Sequence, residues 1–351
     1  MPDRVTIRDV AERAGCGVAT VSRVLNQSGS ASPETREKVL AAAAELGFEF
    51  NELGRSLQSR RSRSLAVLVP SLRNEVFAMA IEGLQQAAAE AGYQMLLACV
   101  NYDEASEIEA VRTFVAKQVD GIVLTVANPD NSRALDYLER QSIPYCLMFN
   151  QPSGDRPSVG VDNIAAAAMA GKLLIEAGHH EAGFVALRFG MSERARLRFE
   201  GFRSIMTASG RKPPHLLELD GDAGEILPQL QSFLVENPGV TAIFASNDLL
   251  ALAVIKALRK LDRRVPDDIA VIGFDGIDIG ELVDPTLATI VTPNVEMGVL
   301  AARTVIAALD NKGPTASAGQ FLSFDYRPGA SLGDVKPPVD ELPLSHRPVQ
   351  P

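Results

Sequence analysis

The spacing of apolar residues changes along the chain. In the first fifty residues, apolar positions recur at helical spacing in three short segments. This pattern predicts helices over about 6–13, over about 18–25, and from Pro33 to about Gly47. The polar stretch 51–64, rich in Arg and Ser, follows and predicts a linker with one or two helical turns.

The residues at the predicted helix starts agree with this pattern. Thr6 is followed three positions later by Asp9, which is typical of a capping box at the start of a helix. Ser32 precedes Pro33 and predicts an N-cap with proline at the first helical position. The segment between the first two helices contains Gly15, which suits a turn that requires positive φ.

From residue 65 onward, apolar runs of strand length alternate with amphipathic helical stretches, in two successive series. Such alternation predicts parallel sheets covered by helices, in about two units. Ligands of open α/β sheets bind at the carboxyl ends of the strands. The polar candidates that directly follow apolar runs are Ser71 (after Pro70), Asn150, Asn247, Asp248 and Asp275.

The charge is unevenly distributed. The chain has 351 residues, enough for two or three domains, and a net charge of −10. Residues 1–63 carry ten Lys and Arg against eight Asp and Glu, a net charge of +2, whereas the remainder carries 24 against 36, or −12. This asymmetry favours a small polyanion-binding module joined to a body that does not bind polyanions.

Other broad classes are disfavoured. The apolar runs are too short to cross a bilayer, and the N-terminus lacks a signal-peptide pattern, so we expect a cytoplasmic protein. The three cysteines, Cys16, Cys99 and Cys146, are far apart and odd in number, which indicates neither a disulfide framework nor a zinc motif. We expect no metal site and no cofactor.

The segment 7–26, "IRDVAERAGCGVATVSRVLN", matches the helix-turn-helix plan. Ala11 is small where the two helices cross, and Val10, Ala14, Val21 and Val24 are apolar where the pair packs on a third helix. The residues left facing outward are Val18, Ala19, Thr20, Ser22, Arg23 and Asn26. This array is typical of a recognition helix in the major groove, where Arg favours guanine. The alternative is a plain helical hairpin with a polar face.

The chain resembles the LacI family of bacterial transcription regulators. The headpiece resemblance rests on "VTIRDVAERAGCGVATVSRVLN" and "SPETREKVLAAAAELGF", and the body adds "VLVPSLRNEVFAMAIEGLQQAAAEAGY", "DGIVLT", "VGVDN", "ARLRFEGF", "AIFASNDLLALAVIKALRKL", "VPDDIAVIGFD" and "PTLATI". It covers about residues 4–330. The resemblance implies an all-α helix-turn-helix headpiece and an α/β core of two parallel-sheet subdomains, like a periplasmic binding protein.

The resemblance also implies domain boundaries. We expect a headpiece over 1–50, a hinge and linker over 51–63, an effector-binding and dimerisation core over 64–330, and a disordered Pro-rich tail over 331–351. The predicted N-subdomain comprises about 64–161 and 292–321, and the C-subdomain about 162–291 and 322–330. The chain would then cross between the subdomains near Asp162, Val291 and Phe321.

In the family the hinge folds into a short helix on operator DNA, and a leucine from each subunit wedges into the minor groove. Leu57 occupies that place, and Asn51 begins the segment; with Thr6 they complete the expected DNA-binding residues. Gly54 stands where alanine is usual. Because Gly lowers helix propensity by about 1 kcal/mol relative to Ala, this hinge helix should form less readily.

The same resemblance implies an effector pocket lined by Arg198, Asn247 and Asp275, with Ser71, Phe77 and Asn150 as further candidates. Asn150 replaces an Asp that is common in sugar-binding members, which removes one negative charge. Residues Arg188, Arg194 and Arg196 could add positive charge, although each is more often a solvated surface residue, and Phe274 is a candidate apolar wall.

The segments "VPSLRNEVFAMAIEGL" and "GFDGIDIGELVDPTLATIVTPNVEMG" resemble the gluconate-repressor branch of the family most closely. The expected effector is therefore a sugar acid or sugar phosphate that releases a repressor dimer from a near-palindromic operator. A corepressor-dependent regulator that responds to a neutral sugar or a purine is the alternative. The dimer should form largely through the helix at about 75–91, and without a C-terminal heptad repeat it should not assemble further.

Two other classes fit less well. The sequence lacks a P-loop, a Rossmann glycine motif and a nucleophile elbow, so we expect no enzyme and no catalytic residue. A transport binding protein would share the body but has no use for residues 1–63.

Overall fold

The structure is a computed structural model that describes residues 5–25, 31–48, 61–219, 226–310 and 319–333. Four residues named above, Asn26, Asn51, Gly54 and Leu57, lie outside the described residues. The chain divides into two compact units. One comprises residues up to Ser64 with the short segment Gln118–Asp120, and the other comprises the remaining residues.

In its described residues the headpiece contains three helices, α1 (Ile7–Ala14), α2 (Val18–Leu25) and α3 (Pro33–Glu45). Their starts follow the capping residues identified in the sequence. The backbone N–H and the hydroxyl of Thr6 both donate to Asp9 Oδ2 at 2.7 Å, and Ser32 Oγ accepts the N–H of Thr35 at 3.2 Å. The predicted helix-turn-helix headpiece is confirmed.

The headpiece core explains how these short helices hold together. Val10 of α1, Val21 of α2 and Val39 of α3 are fully buried against one another. The chain turns between α1 and α2 at Gly15, whose φ of +65° is disfavoured for residues with a side chain. Since an isolated helix of eight residues is marginal in water, burial of this valine cluster supplies most of the stability of α1 and α2.

The larger unit contains two six-stranded sheets, each covered by helices, as the strand–helix alternation predicts. The N-subdomain sheet contains, in spatial order, β11 (Gln320–Phe321), β5 (Ser158–Gly160), β4 (Tyr145–Met148), β3 (Gly121–Leu124), β1 (Ser64–Val69) and β2 (Gln94–Cys99). The C-subdomain sheet contains β12 (Asp325–Arg327), β10 (Ala288–Val291), β9 (Ala270–Asp275), β8 (Ala242–Ala245), β6 (Ala182–Leu187) and β7 (His215–Leu219). The central pairings of both sheets are parallel, and β12 pairs with β10 antiparallel.

The helices pack in pairs on these sheets. The N-subdomain has α4 (Glu75–Glu90), α5 (Glu104–Ala116), α6 (Arg133–Gln141) and α12 (Asn294–Leu309). The C-subdomain has α7 (Asn163–Glu176), α8 (Glu193–Ala208), α9 (Ile226–Glu236), α10 (Asp248–Lys260) and the short α11 (Ile279–Leu282). Helix α4 packs closely on α12, and α7 packs closely on α8. No helix among the described residues is both long enough and apolar enough to cross a membrane.

The chain passes between the two sheets after β5, after β10, and between β11 and β12. The expectation that a disordered tail begins at residue 331 is wrong for its first residues. Ser331 is fully buried: its hydroxyl donates to the carbonyl of Val271 at 2.7 Å and accepts the N–H of Ala288 at 2.9 Å. Because Ser331 bonds both β9 and β10 and Leu332 is buried, the C-subdomain extends beyond residue 330 in the described part of the chain.

Candidate functional site

Helix α2 presents a mixed polar and apolar face to solvent. Val18 is 42% exposed, Ala19 and Arg23 are exposed, and Thr20 and Ser22 are half-buried. Arg23 Nε donates to the carbonyl oxygen of Ala19 at 3.2 Å, within the same helix. This face combines a guanidinium, two hydroxyl groups and small apolar groups, the side-chain types that read base edges and thymine methyls in a major groove.

A cavity of about 710 Å³ lies between the two subdomains of the larger unit. Its walls are formed by residues at or after the carboxyl ends of β1, β2 and β4 of the N-subdomain and β6, β8 and β9 of the C-subdomain, and by residues of α4, α8 and α10. The residues that line it and carry polar groups include Ser71, Arg73, Asn74, Asn101, Tyr102, Arg188, Ser192, Arg194, Arg198, Ser246, Asn247 and Asp275. Parallel strands place their carboxyl ends at one edge of each sheet, so these side chains converge on a single space.

The structure brings five of the six candidate effector residues to this cavity. Ser71, Phe77, Arg198, Asn247 and Asp275 line it.

Asn150 does not line the cavity. It is buried, and its amide bonds the N–H and the carbonyl of Val126 at 3.0 and 2.9 Å and Glu193 Oε2 at 2.8 Å. All of these bonds are to protein groups, so the amide of Asn150 links strand β4 to the start of α8.

Arg198 and Asp275 form the charged centre of the C-subdomain wall. Arg198 Nη1 lies 3.6 Å from Asp275 Oδ1 and donates to the carbonyl of Ser246 at 2.5 Å, and Nε donates to Asn163 Oδ1 at 2.9 Å. The guanidinium stacks on the buried ring of Phe274, 3.5 Å from its centroid. Burial lowers the pKa of Arg198 to about 10, partly opposed by the Asp275 carboxylate, and burial raises the pKa of Asp275 against the effect of Arg198.

Asp248 holds the turn that presents Asp275. Its side chain is fully buried; Oδ2 accepts the N–H groups of Gly276 and Ile277 at 2.7 and 2.9 Å, and Oδ1 accepts the hydroxyl of Thr289 at 2.6 Å. Burial, reinforced by the nearby Asp275 carboxylate, raises the pKa of Asp248 to about 7. Asp248 therefore acts on the cavity through the backbone that follows Asp275.

Asp248→Ala is expected to lower the free energy of unfolding by about 2–4 kcal/mol, because two backbone N–H groups lose their buried acceptor. Asp248→Asn should lose far less, since an amide oxygen can still accept from Gly276 and Ile277. The raised pKa of Asp248 also determines how its contribution to stability changes with pH. Between about pH 4 and 7 the folded state holds a proton that the unfolded chain has released, so this contribution to stability falls as pH rises.

Thermal unfolding of wild type and both Asp248 variants, measured from pH 4.5 to 7.5, checks this prediction. The stability of Asp248→Asn relative to wild type should rise with pH. Equal pH dependence in the two proteins would show that Asp248 does not titrate in this window.

Arg194 is the cavity residue whose setting the sequence did not reveal. It is 9% exposed, and its guanidinium lies 5.3, 5.6 and 5.7 Å from the ring centroids of Phe77, Phe149 and Tyr102. Nη2 donates to the Tyr102 hydroxyl at 2.6 Å. The expectation of a solvated surface residue is therefore wrong for Arg194, because three aromatic rings from the opposite subdomain enclose it. Arg196, two residues later, is half-buried and does not line the cavity.

Comparison with known proteins places this geometry in a family. Residues 6–51 match the model for bacterial regulatory proteins of the lacI family, and residues 65–323 match a periplasmic binding protein domain. The HTH-type transcriptional regulator GntR of Escherichia coli K12 is 31% identical over 331 residues, which cover 94% of this chain and 99% of that protein. The chain belongs to the LacI family.

Other LacI-family proteins support the same assignment. The ribose operon repressor of Halalkalibacterium halodurans is 30% identical over 309 residues, 88% of this chain and 91% of that protein. A crystal structure of the lac repressor dimer bound to operator and the anti-inducer ONPF superimposes with a TM-score of 0.86 at 25% identity, covering 94% of this chain and 99% of that chain. The chain is accordingly a DNA-binding transcriptional regulator with a two-subdomain α/β core.

The cavity of this LacI-family core is bridged by side chains from both subdomains. Asn74 Nδ2 donates to Asp275 Oδ2 at 3.5 Å, and Arg188 Nη1 donates to the Asn101 Oδ1 at 2.7 Å. Several residues that line the cavity have a strained backbone conformation. Of the nine non-glycine residues with positive φ in the described residues, those that line the cavity are Asn101, Tyr102, Phe149, Arg188 and Asp275. Strained conformations persist where the surrounding structure holds them, often at ligand sites.

The electrostatics of the cavity favour negative charge. Among the described residues, four arginines line it, Arg73, Arg188, Arg194 and Arg198, against the single carboxylate of Asp275. Helices α4, α8 and α10 also begin at the cavity, with cap residues among its lining side chains. Because helix N-termini carry partial positive charge, they add to the field of the arginines.

Proposed function

We propose that this LacI-family regulator is a repressor that is released from its operator by a small carbohydrate-derived anion, a sugar acid or a sugar phosphate. The observation that carries the proposal is the charge of the cavity, where four arginines and three helix N-termini face one carboxylate. A neutral sugar would leave this positive charge uncompensated, whereas an anion would be stabilised by it.

The hydroxyl groups of such a ligand have partners on the C-subdomain wall. Asp275 carries a carboxylate that accepts hydrogen bonds. Asn247 caps α10 through its amide oxygen, which accepts the N–H of Leu250 at 2.9 Å, so its amide nitrogen is directed to other acceptors. Carboxylate and amide groups of this kind bind vicinal hydroxyls well.

The DNA-binding unit of the proposed repressor is a dimer. Two copies of α2 would enter successive major grooves of a near-palindromic operator, with the half-sites about one helical turn apart. The outer face of α4, opposite its contact with α12, remains exposed in a single chain at Ala78, Glu82 and Gln85. We infer that this face supplies a large part of the contact between subunits.

Effector binding would act on DNA by shifting the population of subdomain arrangements. A ligand that contacts both walls stabilises one arrangement over the other by the difference in its affinity for the two. The cavity walls come from both subdomains, so the affinity for a bound molecule depends on the relative position of the two subdomains. Release from operator then follows if the ligand-favoured arrangement binds DNA less tightly.

Two measurements on the purified full-length chain test the proposal. Operator fragments are first selected from genomic DNA and titrated by fluorescence anisotropy. A thermal-shift panel of sugar acids, sugar phosphates, neutral sugars and purines follows, in which a ligand at 100 times its Kd stabilises the protein by about 2.7 kcal/mol. Anions that stabilise the core and weaken operator binding are expected. A neutral sugar or purine that tightens operator binding would favour a corepressor-dependent regulator instead.

Arg23→Ala is expected to weaken operator binding by about 5- to 150-fold and to relax base preference at one position of each half-site. The reason is that an Arg that reads a base contributes roughly 1–3 kcal/mol of discrimination. Binding of the effector should not change. Fluorescence anisotropy with the selected operator and single-base variants measures both effects.

Arg13→Ala is the matched control for Arg23→Ala. Arg13 lies at the end of α1 and pairs with Glu45 of α3 at 2.5 Å. Its charge is therefore already paired within the headpiece. Near-wild-type operator affinity is expected for this control. Equal losses in both variants would mean that Arg23 acts through general positive charge or through folding.

A further inference from the structure

Arg194 is a buried cation that forms no close ion pair among the described residues, and the Asp275 and Glu193 carboxylates interact with it only at longer range. In the described part of the chain, no carboxylate lies within ion-pair distance of its guanidinium, and Nη1 is buried without any hydrogen-bond partner. A buried donor that lacks an acceptor destabilises the protein, and more so when it is charged. The fold therefore holds this side chain in a state that an incoming acceptor would stabilise.

Two of the other cavity arginines have partners of their own. Arg198 has the Asp275 carboxylate and two further oxygen acceptors, as described above. Arg188 Nη1 donates twice to Asn101, to its carbonyl oxygen at 3.2 Å and to its side chain at 2.7 Å. Arg194, by contrast, combines a buried positive charge with a donor that a bound anion can use without breaking an existing contact.

The surroundings of Arg194 restrict what can bind to it. The rings of Phe77, Phe149 and Tyr102 surround the guanidinium, and Phe77 and Phe149 meet edge to face at 5.1 Å. The rings themselves add no strong donor apart from the Tyr102 hydroxyl, which already accepts from Arg194 Nη2. A planar carboxylate, which needs few donors and pairs with a guanidinium edge, suits this enclosure. A phosphate dianion requires several donors arranged around a tetrahedral group.

The position of Arg194 on α8 sets the orientation of the ligand. Arg194 and Arg198 are four residues apart, so they project from the same face of the helix, about 6 Å apart along its axis. Arg198 belongs to the wall with Asp275 and Asn247, where hydroxyl groups find partners. One turn of α8 thus connects an anion-binding end with a hydroxyl-binding end.

We propose that Arg194 is the specificity-determining residue of the cavity, and that it binds the carboxylate of a polyhydroxy acid whose hydroxyl groups lie toward Arg198, Asn247 and Asp275. This inference rests on the proposed function, because it takes the effector to be an anion that binds in the cavity. It narrows the effector to the sugar acids and assigns their carboxylate to one side chain.

The experiment compares full-length wild type with Arg194→Gln, using calorimetry and thermal shift. The probes are D-gluconate and a set of further aldonates and uronates, each paired with its neutral alditol or aldose, and D-glucose 6-phosphate. At least one acid should bind wild type more tightly than its neutral counterpart. Arg194→Gln should weaken that acid about 30-fold or more, as expected when one partner of a buried charge pair is removed, and should change the neutral counterpart less than threefold.

Arg196→Gln is the matched control. Arg196 lies on the same helix, and its Nη1 donates to the carbonyl of Gly190 at 2.8 Å rather than facing the cavity. It should leave the affinity for the acid and for its neutral counterpart unchanged. An equal loss of acid binding in the two variants would overturn the assignment of Arg194, because it would reflect the net charge of α8.

Three other outcomes would overturn the inference. They are the absence of binding by every acid in the set, equal binding of an acid and its neutral counterpart by wild type, and preference for D-glucose 6-phosphate over all acids. Operator titration of the same samples separates this failure from failure of the proposed function. If the protein binds operator and is released by a neutral sugar, it is a repressor but the role of Arg194 is wrong. If an acid binds in an Arg194-dependent manner but the protein binds no operator, the role of Arg194 is supported and the proposed repressor function is wrong.

Discussion

Asp275→Ala is expected to abolish the response to effector, with ligand affinity reduced about 30- to 5000-fold. The carboxylate is lost as a hydroxyl acceptor, and Arg198 is left buried without its ion-pair partner. Removing one member of a buried, hydrogen-bonded charge pair costs about 2–5 kcal/mol, most of it from the charge that remains. The contact of Asp275 with Asn74 across the cavity is lost as well.

The measurement is operator release as a function of effector concentration, together with calorimetric affinity for the effector. Operator binding in the absence of effector should remain, because α2 and its valine core are independent of Asp275. Asp278→Ala is the matched control, since Asp278 is exposed, three residues further along the same connection. A normal response in Asp275→Ala would show that the effector binds elsewhere.

Much of the headpiece could be predicted from the sequence, because its determinants are local. Thr6 and Asp9 are three residues apart, Ser32 directly precedes Pro33, and Gly15 occupies a turn that needs positive φ. Each of these features acts within one helical turn. The alternation of strands and helices in the larger unit was predictable for the same reason.

The setting of Arg194 could not be predicted, because it depends on residues distant in the sequence. The local segment "MSERARLRF" has arginine at alternate positions and resembles a solvated helix start. What buries Arg194 are Phe77, Tyr102 and Phe149, which lie 45 to 117 positions earlier. A signal was nonetheless present, since Arg194 and Arg198 share a helical face and Arg198 was a candidate.

Asn150 illustrates the opposite error of sequence reasoning. Its position after an apolar run suggested a side chain directed at ligand, and β4 ends two residues earlier, at Met148. Its amide oxygen instead accepts the N–H of Val126, and its amide nitrogen donates to the carbonyl of Val126 and to Glu193 Oε2. Strand ends identify which residues are near a cavity, but the hydrogen-bond geometry of neighbouring loops decides which of them face it.

The close packing of α4 on α12 leads to the prediction with the largest effect on stability. Each helix contributes a glycine to the contact, Gly83 and Gly298, and a Cβ at either would overlap the backbone of the other helix. At residue 298 it would collide with the carbonyl oxygen of Ala80 and lie 2.7 Å from that carbonyl carbon. Both obstacles are backbone atoms, so no rotamer change can relieve the overlap.

Gly298→Ala is therefore expected to destabilise the core by about 3 kcal/mol or more, beyond the usual range for an added methylene in a core. The higher helix propensity of alanine stabilises α12 by only about 1 kcal/mol, which is less than the expected cost of moving α4 and α12 apart. Thermal unfolding should show a midpoint lower by at least about 5 °C. Because the two helices would have to separate along their length, effector affinity and the proposed dimer contact through α4 should weaken too.

Gly190→Ala provides the control for the same substitution without an overlap. A Cβ there would meet only Glu218 Oε1, at 3.8 Å, an ordinary contact distance. Its unfolding midpoint should stay within about 1 °C of wild type, corresponding to less than 0.5 kcal/mol. If Gly298→Ala were equally benign, α4 and α12 would have to be able to move apart at little cost, and the N-subdomain would not be the rigid wall that the cavity requires.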